Sequence, residues 1–131
     1  MAEHPNASLL REAISTFNRG DLGAYREYFT DDVVWHVGGS HPLSGDYRGR
    51  DAIFEYFARV QDLTSGGLQS EPQDILADDS HGGVFTRVTA DRGDRHLDVV
   101  LAQAFRINPD GKFTEYWALA DDQDAVNAFW S

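Results

Sequence analysis

The second quarter of the chain reads Asp31-Asp32-Val33-Val34-Trp35-His36-Val37-Gly38-Gly39-Ser40-His41-Pro42-Leu43-Ser44-Gly45-Asp46-Tyr47-Arg48-Gly49. Its first part is an apolar, β-branched run that predicts a strand, and its second part is rich in Gly, Ser and Pro, which predicts a loop. Because loops carry function while strands hold them in place, this junction is typical of the mouth of a pocket. We expect it to close one end of a cavity between helices that precede it and a sheet that follows it.

The residues before this stretch have helical periodicity. Apolar residues recur at spacings of three and four between Leu9 and Phe17, which predicts an amphipathic helix with Asn6 or Ser8 as its cap and Gly20 as its end. A polar tail, residues 1–6, precedes this helix, and we expect it to be flexible. The sequence therefore begins with a short tail and one amphipathic helix.

Three further helices are predicted. Asp21 caps the second helix, which ends at the Asp31-Asp32 break, and a third runs from Asp51 to the Gly66-Gly67 pair. The segment 121–131 opens with acidic residues that suit a helix N-terminus, and it predicts a short C-terminal helix.

The remaining segments predict strands joined by short turns. Besides the strand at 33–37, four β-like segments follow the third helix, at 68–76, 84–90, 96–107 and 112–120. Consecutive strands with short connections imply an antiparallel meander. The order of helices first and strands afterwards indicates an α+β fold with helices packed across one face of the sheet.

Composition limits the classes of function. The 131 residues fit one domain, 1–131, and the aromatic content of 12% indicates a folded chain. The net charge of −11 disfavours nucleic acid and membrane surfaces as partners. The chain has no cysteine, which excludes disulfides and thiolate metal sites. Without a signal-peptide pattern, the cytoplasm is the expected location.

Several motifs together resemble a known family. The chain resembles the nuclear transport factor 2-like superfamily, and within it the SnoaL-like polyketide cyclase and ketosteroid isomerase branch. The resemblance covers nearly the whole chain and rests on residues 17–22 (FNRGDL), 28–33 (YFTDDV), 45–53 (GDYRGRDAI) and 110–117 (DGKFTEYW). It implies a cone-shaped α+β barrel, in which a strongly curved antiparallel sheet wraps around the N-terminal helices and encloses a cavity. Such folds often form homodimers through the outer faces of their sheets, and we expect the same here.

The resemblance to ketosteroid isomerase fails at its functional positions. Val37 stands where that enzyme has its aspartate base, Ala13 replaces its tyrosine donor, and about Gln103 replaces its protonated aspartate. We therefore do not expect steroid isomerisation. SnoaL-like cyclases place an acid soon after a Glu-aromatic-Trp strand end, and either Asp121 or Asp122 matches that position.

The cavity wall is predicted from strand alternation and the family resemblance. On the last strand, Tyr116, Ala118 and Ala120 share a face, and the resemblance turns this face toward the cavity. Leu101 and Gln103 share the inward face of the preceding strand. The other predicted ligand-binding residues are Trp35, Val37, His41 and Phe57. Trp35 is either a wall against the ligand or plain core, and His41 either covers the mouth or is a solvated loop residue.

The catalytic hypothesis places His36 and Asp122 as proton-handling groups, with Tyr116 as a hydrogen-bond donor. Strict alternation offers another interpretation, in which Trp35 points inward and His36 outward. Asp122 is either a general base or the N-terminal cap of the last helix. No pair of histidines has zinc-motif spacing, so we predict no metal site.

These observations predict a cofactor-independent acid-base enzyme that acts on a small apolar or amphipathic molecule. The reaction class, which is cyclisation, isomerisation, dehydration or hydrolysis, stays open. The alternative hypothesis is a non-catalytic domain of the same fold that binds a ligand or a protein.

Overall fold

The computed structural model describes residues 3–131 and shows an α+β fold. The helices are α1 (Pro5–Asn18), α2 (Leu22–Tyr25), α3 (Arg50–Leu63) and α4 (Gln123–Trp130), with a 3₁₀ turn (Arg26–Tyr28) after α2. The strands are β1 (Phe29–Val37), β2 (Gly45–Arg48), β3 (Gln69–Ala77), β4 (His81–Arg92), β5 (Arg95–Ile107) and β6 (Phe113–Ala120). They form one curved, unclosed sheet in the order β2-β1-β6-β5-β4-β3. The expected cone-shaped α+β class is confirmed.

The first helix begins earlier than the sequence predicted. Pro5 is its first residue, and the Nδ1 atom of His4 accepts a hydrogen bond from the Asn6 backbone N–H at 3.0 Å. His4 therefore caps α1, and the prediction of Asn6 or Ser8 as the cap was wrong. Proline suits this position because it has no N–H to satisfy and its φ angle already fits a helix. Residues 5 and 6 of the predicted tail 1–6 thus belong to α1, while Met1 and Ala2 lie outside the described residues.

The sheet is antiparallel from β3 to β6, as the turn signals predicted, but it is not antiparallel throughout. Strand β1 pairs with β6 in parallel, with Trp35 opposite Tyr116. A second correction concerns the Gly-Asp-Tyr-Arg-Gly segment, which the sequence indicated as a turn. Its residues Gly45–Arg48 form β2, which pairs back onto the end of β1. Both differences arise from long-range pairing, which local sequence patterns do not report.

An aromatic core joins the helices to the sheet. The ring of Phe29 lies 5.3 Å from Phe113, 5.4 Å from Phe54 and 5.7 Å from Trp35, measured between ring centroids. These rings come from β1, α3 and β6, so one cluster fixes three elements against each other. Edge-to-face contacts of this kind stabilise beyond simple burial. None of the helices within residues 3–131 is long and apolar enough to cross a membrane.

The loop that follows β1, residues 38–44, is held against α4. The Ser40 backbone N–H donates to Oδ1 of Asn127 at 2.9 Å, and Leu43 is only 1% exposed in a cluster that includes Phe129. Gly39 has a φ of +90°, and a Cβ there would lie 2.3 Å from Nε2 of Gln123. The loop and the last helix therefore pack closely together.

Replacing Gly39 by Ala should destabilise this contact. The added Cβ would collide with Gln123 and force a strained positive φ, so we expect the free energy of unfolding to fall by about 1–3 kcal/mol. Gly38→Ala is the matched control, because a Cβ at Gly38 meets nothing within 4 Å, and its effect should stay below about 0.5 kcal/mol. Urea denaturation of both variants measures the difference. Equal stability of the two would contradict the packing described.

Candidate functional site

The inner face of the sheet and the helices enclose a cavity of about 150 Å³. None of the residues that line it is Asp, Glu, Lys or Arg. Its wall is mostly aliphatic and aromatic, and its polar groups are hydroxyls, amides and imidazole. A cavity of this composition is typical of sites for small organic molecules.

All eight residues that the sequence predicted as ligand-binding line this cavity, namely Trp35, Val37, His41, Phe57, Leu101, Gln103, Ala118 and Ala120. The strand register explains the inward set, because Leu101 lies opposite Ala120 and Gln103 opposite Ala118. Residues two apart share a face, so one side of β5 and β6 forms a continuous wall. Their contact with a ligand stays a prediction.

Tyr116 is a polar group of the wall that stacking and hydrogen bonding hold in place. Its ring stacks on Trp35 with centroids 3.6 Å apart and planes 10° apart. Its hydroxyl oxygen accepts a hydrogen bond from Nε2 of Gln103 at 2.9 Å, and Oε1 of Gln103 accepts one from the Thr86 hydroxyl at 2.6 Å. Burial raises the pKa of Tyr116 to about 12, with a small opposing effect of Gln103. Tyr116 therefore keeps its proton at neutral pH.

His36 does not face the cavity, which corrects the catalytic hypothesis. Its Nδ1 lies 2.6 Å from Oδ1 of Asp46 and its Nε2 lies 2.8 Å from Oε2 of Glu115. The ring stacks on exposed Trp117, with centroids 5.6 Å apart. Strand β1 borders the cavity at this residue, but alternation sends Trp35 inward and the imidazole of His36 to the outer face. Hydrogen bonds to Glu115 and Asp46 raise the pKa of His36.

The carboxylates of Asp121 and Asp122, which follow β6, also form hydrogen bonds outside the cavity. Oδ1 of Asp122 accepts a hydrogen bond from the Ala125 backbone N–H at 3.0 Å, so Asp122 is the N-cap of α4. Oδ1 of Asp121 accepts one from the Val100 backbone N–H at 3.0 Å. Neither Asp121 nor Asp122 lines the cavity, so neither lies beside His36 in it. Capping is the interpretation of Asp122 that the structure supports, because the exposed N–H groups of a helix start attract a carboxylate.

His41 is the histidine whose side chain lies against the cavity. Its Nδ1 accepts a hydrogen bond from the Leu43 backbone N–H at 3.2 Å, so in the neutral ring the proton sits on Nε2. That Nε2 is buried and has no hydrogen-bond partner among residues 3–131. Burial lowers the pKa of His41, partly opposed by the backbone of Gly38. Burial thus favours the uncharged ring of His41, and the surrounding residues enclose its Nε2.

Sequence reasoning missed Tyr25, Tyr56 and Thr86. Tyr25 and Tyr56 line the cavity, and burial is the main cause that raises the pKa of each. Tyr25 lies in the predicted second helix, but no sequence signal shows that its side chain lines a cavity. Within the described part of the chain, no three metal-ligating side chains converge on one point.

Known proteins resemble this chain in sequence and in fold. Residues 10–116 match the family model described as a SnoaL-like domain. The chain belongs to this SnoaL-like family. Solved structures of nuclear transport factor 2-like proteins share its fold, which confirms the fold expected from the resemblance.

Three similar proteins illustrate the SnoaL-like relationship. Bal32a from a soil-derived mobile gene cassette is 31% identical, covers 96% of each chain and superposes with a TM-score of 0.91. An uncharacterized protein of Mycobacterium tuberculosis is 28% identical in an alignment of 138 positions that covers 100% of this chain and 100% of its own. IdmH, a putative polyketide cyclase from Streptomyces antibioticus, is 19% identical over 97% of this chain and 96% of its own, with a TM-score of 0.73, and this likeness shows the fold alone.

The two histidines should titrate in opposite directions. We expect the imidazole of His36 to have a pKa above the ordinary 6.5 because two carboxylates stabilise its charged form, and that of His41 to lie below 6.5 because burial disfavours charge. NMR titration of the imidazole signals, assigned with His36→Gln and His41→Gln, measures both.

The raised pKa of His36 also predicts a pH-dependent stability. Its contribution is fully present below the pKa of the unfolded chain, and it is lost as pH rises through the higher folded pKa. The difference in free energy of unfolding between the wild type and His36→Gln should therefore shrink as pH rises through that range. A His41 midpoint above 6.5, or a constant difference for His36→Gln, would contradict these assignments.

Proposed function

We propose that the protein binds a small, uncharged and largely apolar molecule in its cavity. The observation that carries this proposal is a wall of apolar and aromatic side chains without a single Asp, Glu, Lys or Arg. Apolar ligands gain free energy by leaving water for such a site. The few polar groups of the wall would orient the ligand rather than neutralise its charge.

The size of the cavity supports a ring-sized occupant. A dry apolar cavity of about 150 Å³ admits a molecule such as benzene, and the cavity here has about that volume. A larger ligand would place one ring inside and leave its remaining part near the loop 38–44.

Electrostatics support an uncharged ligand. Burying a carboxylate or phosphate without a cationic partner costs several kcal/mol, on the order of 3–5, and the wall contains no Lys or Arg. The net charge of −11 adds a repulsive field for anions. An anionic ligand therefore has neither a partner in the cavity nor an attractive approach to it.

Membership of the SnoaL-like family and the description of IdmH as a putative polyketide cyclase support the use of this fold on organic molecules. The finer proposal is cofactor-independent acid-base chemistry on the bound molecule. Tyr116 is the first candidate for it, because it is a protonated phenol in the wall, and His41 is the second, which requires that ligand binding uncover its enclosed Nε2. In an enzyme, His41→Gln would abolish turnover but keep ligand binding, whereas in a pure binding protein it would change only affinity.

Filling the cavity should abolish binding. Ala118 lines the cavity, so Ala118→Leu would occupy space that the ligand needs. Ala58 is exposed on α3, so Ala58→Leu adds the same side chain outside the cavity. With toluene and ethylbenzene as probes, ligand-observed NMR should show saturable binding to wild type and Ala58→Leu, and at least roughly 10-fold weaker binding to Ala118→Leu. Absence of saturable binding to the wild type by either probe would refute the proposal.

We also propose that the outer face of the sheet binds a second copy of the chain. Leu76, Phe85, Trp117 and Leu119 are exposed there, and Leu119 reaches 77% exposure. Exposed apolar patches of this kind mark interaction sites. Around them, Arg106 pairs with Glu115 and Arg87 with Asp98, so charges on this face are balanced although the whole chain is strongly acidic. Local balance removes the repulsion that would otherwise oppose self-association.

Leu119→Asp tests this interface. A buried carboxylate at the centre of the patch should convert a dimer into a monomer. Size-exclusion chromatography with light scattering should report two chains for the wild type and for the control Ala58→Asp, and one chain for Leu119→Asp. A monomeric wild type at micromolar concentration would exclude the dimer.

A further inference from the structure

The imidazole of His36 lies on the outer face of the sheet between two carboxylates from neighbouring strands. Its Nδ1 is 2.6 Å from Oδ1 of Asp46 on β2, and its Nε2 is 2.8 Å from Oε2 of Glu115 on β6. A neutral imidazole has one N–H, whereas the charged ring has two. Only the charged ring can therefore donate to both carboxylates at once.

Two arginines also face this cluster, but they do not replace the imidazole as a donor. Nε of Arg106 on β5 lies 3.6 Å from Oε1 of Glu115, and a terminal guanidinium nitrogen of Arg48 on β2 lies 4.0 Å from Oδ2 of Asp46. Both separations exceed hydrogen-bond length, and both involve the carboxylate oxygen that His36 does not contact. If the ring of His36 loses one proton, one of the two carboxylates loses that donor.

The cluster borders the apolar patch on the outer face that we propose as the contact with a second chain. The ring of His36 stacks on Trp117 with planes 16° apart, and the guanidinium of Arg106 lies over the same indole at 5.6 Å from its centroid. The side chains of His36 and Glu115 are 26% and 29% exposed, so water reaches them in the single chain. A second chain that covers Trp117 would exclude this water.

The strand register gives the patch a shape that suits a second copy. Ala102 of β5 pairs with Phe85 on one side and with Leu119 on the other, and its neighbour Ala104 on the same face pairs with Trp117. Small residues therefore form a low centre between raised apolar sides. In a two-fold dimer the same patch is used twice, so the raised side of each chain can lie over the low centre of the other. Such a dimer contains two copies of the His36 cluster.

We propose that two chains associate through this face while the ring of His36 carries both of its protons, and that loss of one proton separates them. In the single chain, water solvates the carboxylate that loses its donor. In the dimer the partner covers the face, so that carboxylate stays buried without a donor, which is costly for a charged group. Proton loss is therefore less favourable in the dimer than in the single chain. This inference rests on the proposed dimer and adds its regulation.

The direction of the pH effect follows from this linkage. Hydrogen bonds to Glu115 and Asp46 raise the pKa of His36, so its charged state extends above the ordinary 6.5. The dimer should be tightest below the raised pKa and should weaken as the pH rises through it. Because both copies contribute, association should take up as many as two protons per dimer, and it should in turn raise the pKa of His36 further.

Sedimentation equilibrium measures the dimer Kd of the wild type across this range. Between pH values of about 6 and about 9, histidine is the side chain of this cysteine-free protein that ordinarily titrates. Over that range the dimer Kd of the wild type should rise at least roughly 10-fold. In His36→Gln it should change by less than roughly 2-fold, because an amide side chain does not titrate.

His96→Gln is the matched control. His96 also pairs with a carboxylate, since its Nδ1 is 2.8 Å from Oδ1 of Asp91, but a neutral ring is enough to satisfy that single contact. It lies at the start of β5, whereas Ala104 is the residue of β5 that pairs with Trp117. This variant should keep the pH dependence of the wild type.

Glu115→Gln is a second test, which decides the matter if His36→Gln does not fold. The amide can accept a hydrogen bond from a neutral imidazole or donate one to it, so the ring of His36 no longer needs two protons. This variant should still form a dimer, and its dimer Kd should depend on pH much less than that of the wild type.

The outcomes separate the switch from the dimer. If the wild type is a dimer whose Kd stays constant or falls as the pH rises, the switch is wrong while the dimer stands. The switch is also wrong if His36→Gln and Glu115→Gln keep the full pH dependence, or if His96→Gln removes it. If the wild type is a monomer at every pH, the proposed dimer itself falls, and the switch falls with it.

Discussion

The parallel pairing of β1 with β6 is the constraint on which the candidate site depends. It sets Trp35 opposite Tyr116, and the two rings stack at 3.6 Å on the inner face of the sheet. Because side chains alternate along a strand, the same register sends His36 and Trp117 to the outer face. A slip by one residue would exchange the two faces and bring the imidazole of His36 into the cavity. The burial of Trp35 among the core aromatics opposes such a slip.

Because of this register, the charged side chains lie outside the cavity. The chain carries 22 acidic residues, yet the cavity wall has none. The acids that lie nearest in sequence to the wall are used elsewhere, since Glu115 bonds His36 and Asp122 caps α4. The polar groups that remain inside are uncharged hydrogen-bond donors. Burial raises the pKa values of the phenols and lowers the pKa of His41, and both shifts favour the uncharged form. An interior of this kind recognises a ligand by shape and hydrogen bonding rather than by charge.

The loop after β1 links the cavity to the end of the chain. Its backbone is hydrogen bonded to Asn127 of α4, and its Leu43 is buried with Phe129 and Trp130. The same loop carries His41, whose Nδ1 is engaged by the Leu43 backbone N–H. The packing of α4 against the loop therefore helps to fix the position of this histidine. The Leu43 N–H fixes which of its nitrogens carries the proton in the neutral ring. Glycine suits position 39 because its φ of +90° strains any other residue, and a Cβ there would also displace the ends of the Gln123 and Asn127 side chains.

Much of the fold and of the cavity wall was predictable because periodicity alone defines which residues share a face. Helical spacing located α1 and α3, turn residues located the meander from β3 to β6, and alternation placed Gln103, Ala118 and Ala120 on one wall. Alternation also offered the correct orientation of His36, although the catalytic hypothesis favoured the other one. Only the tertiary structure decided the parallel β1 and β6 pair, the strand β2, the burial of His41 and the position of Tyr25, Tyr56 and Tyr116 in one cavity wall. These features depend on contacts between residues far apart in the chain, and on curvature that brings separate elements around one space, which no local pattern of residues encodes.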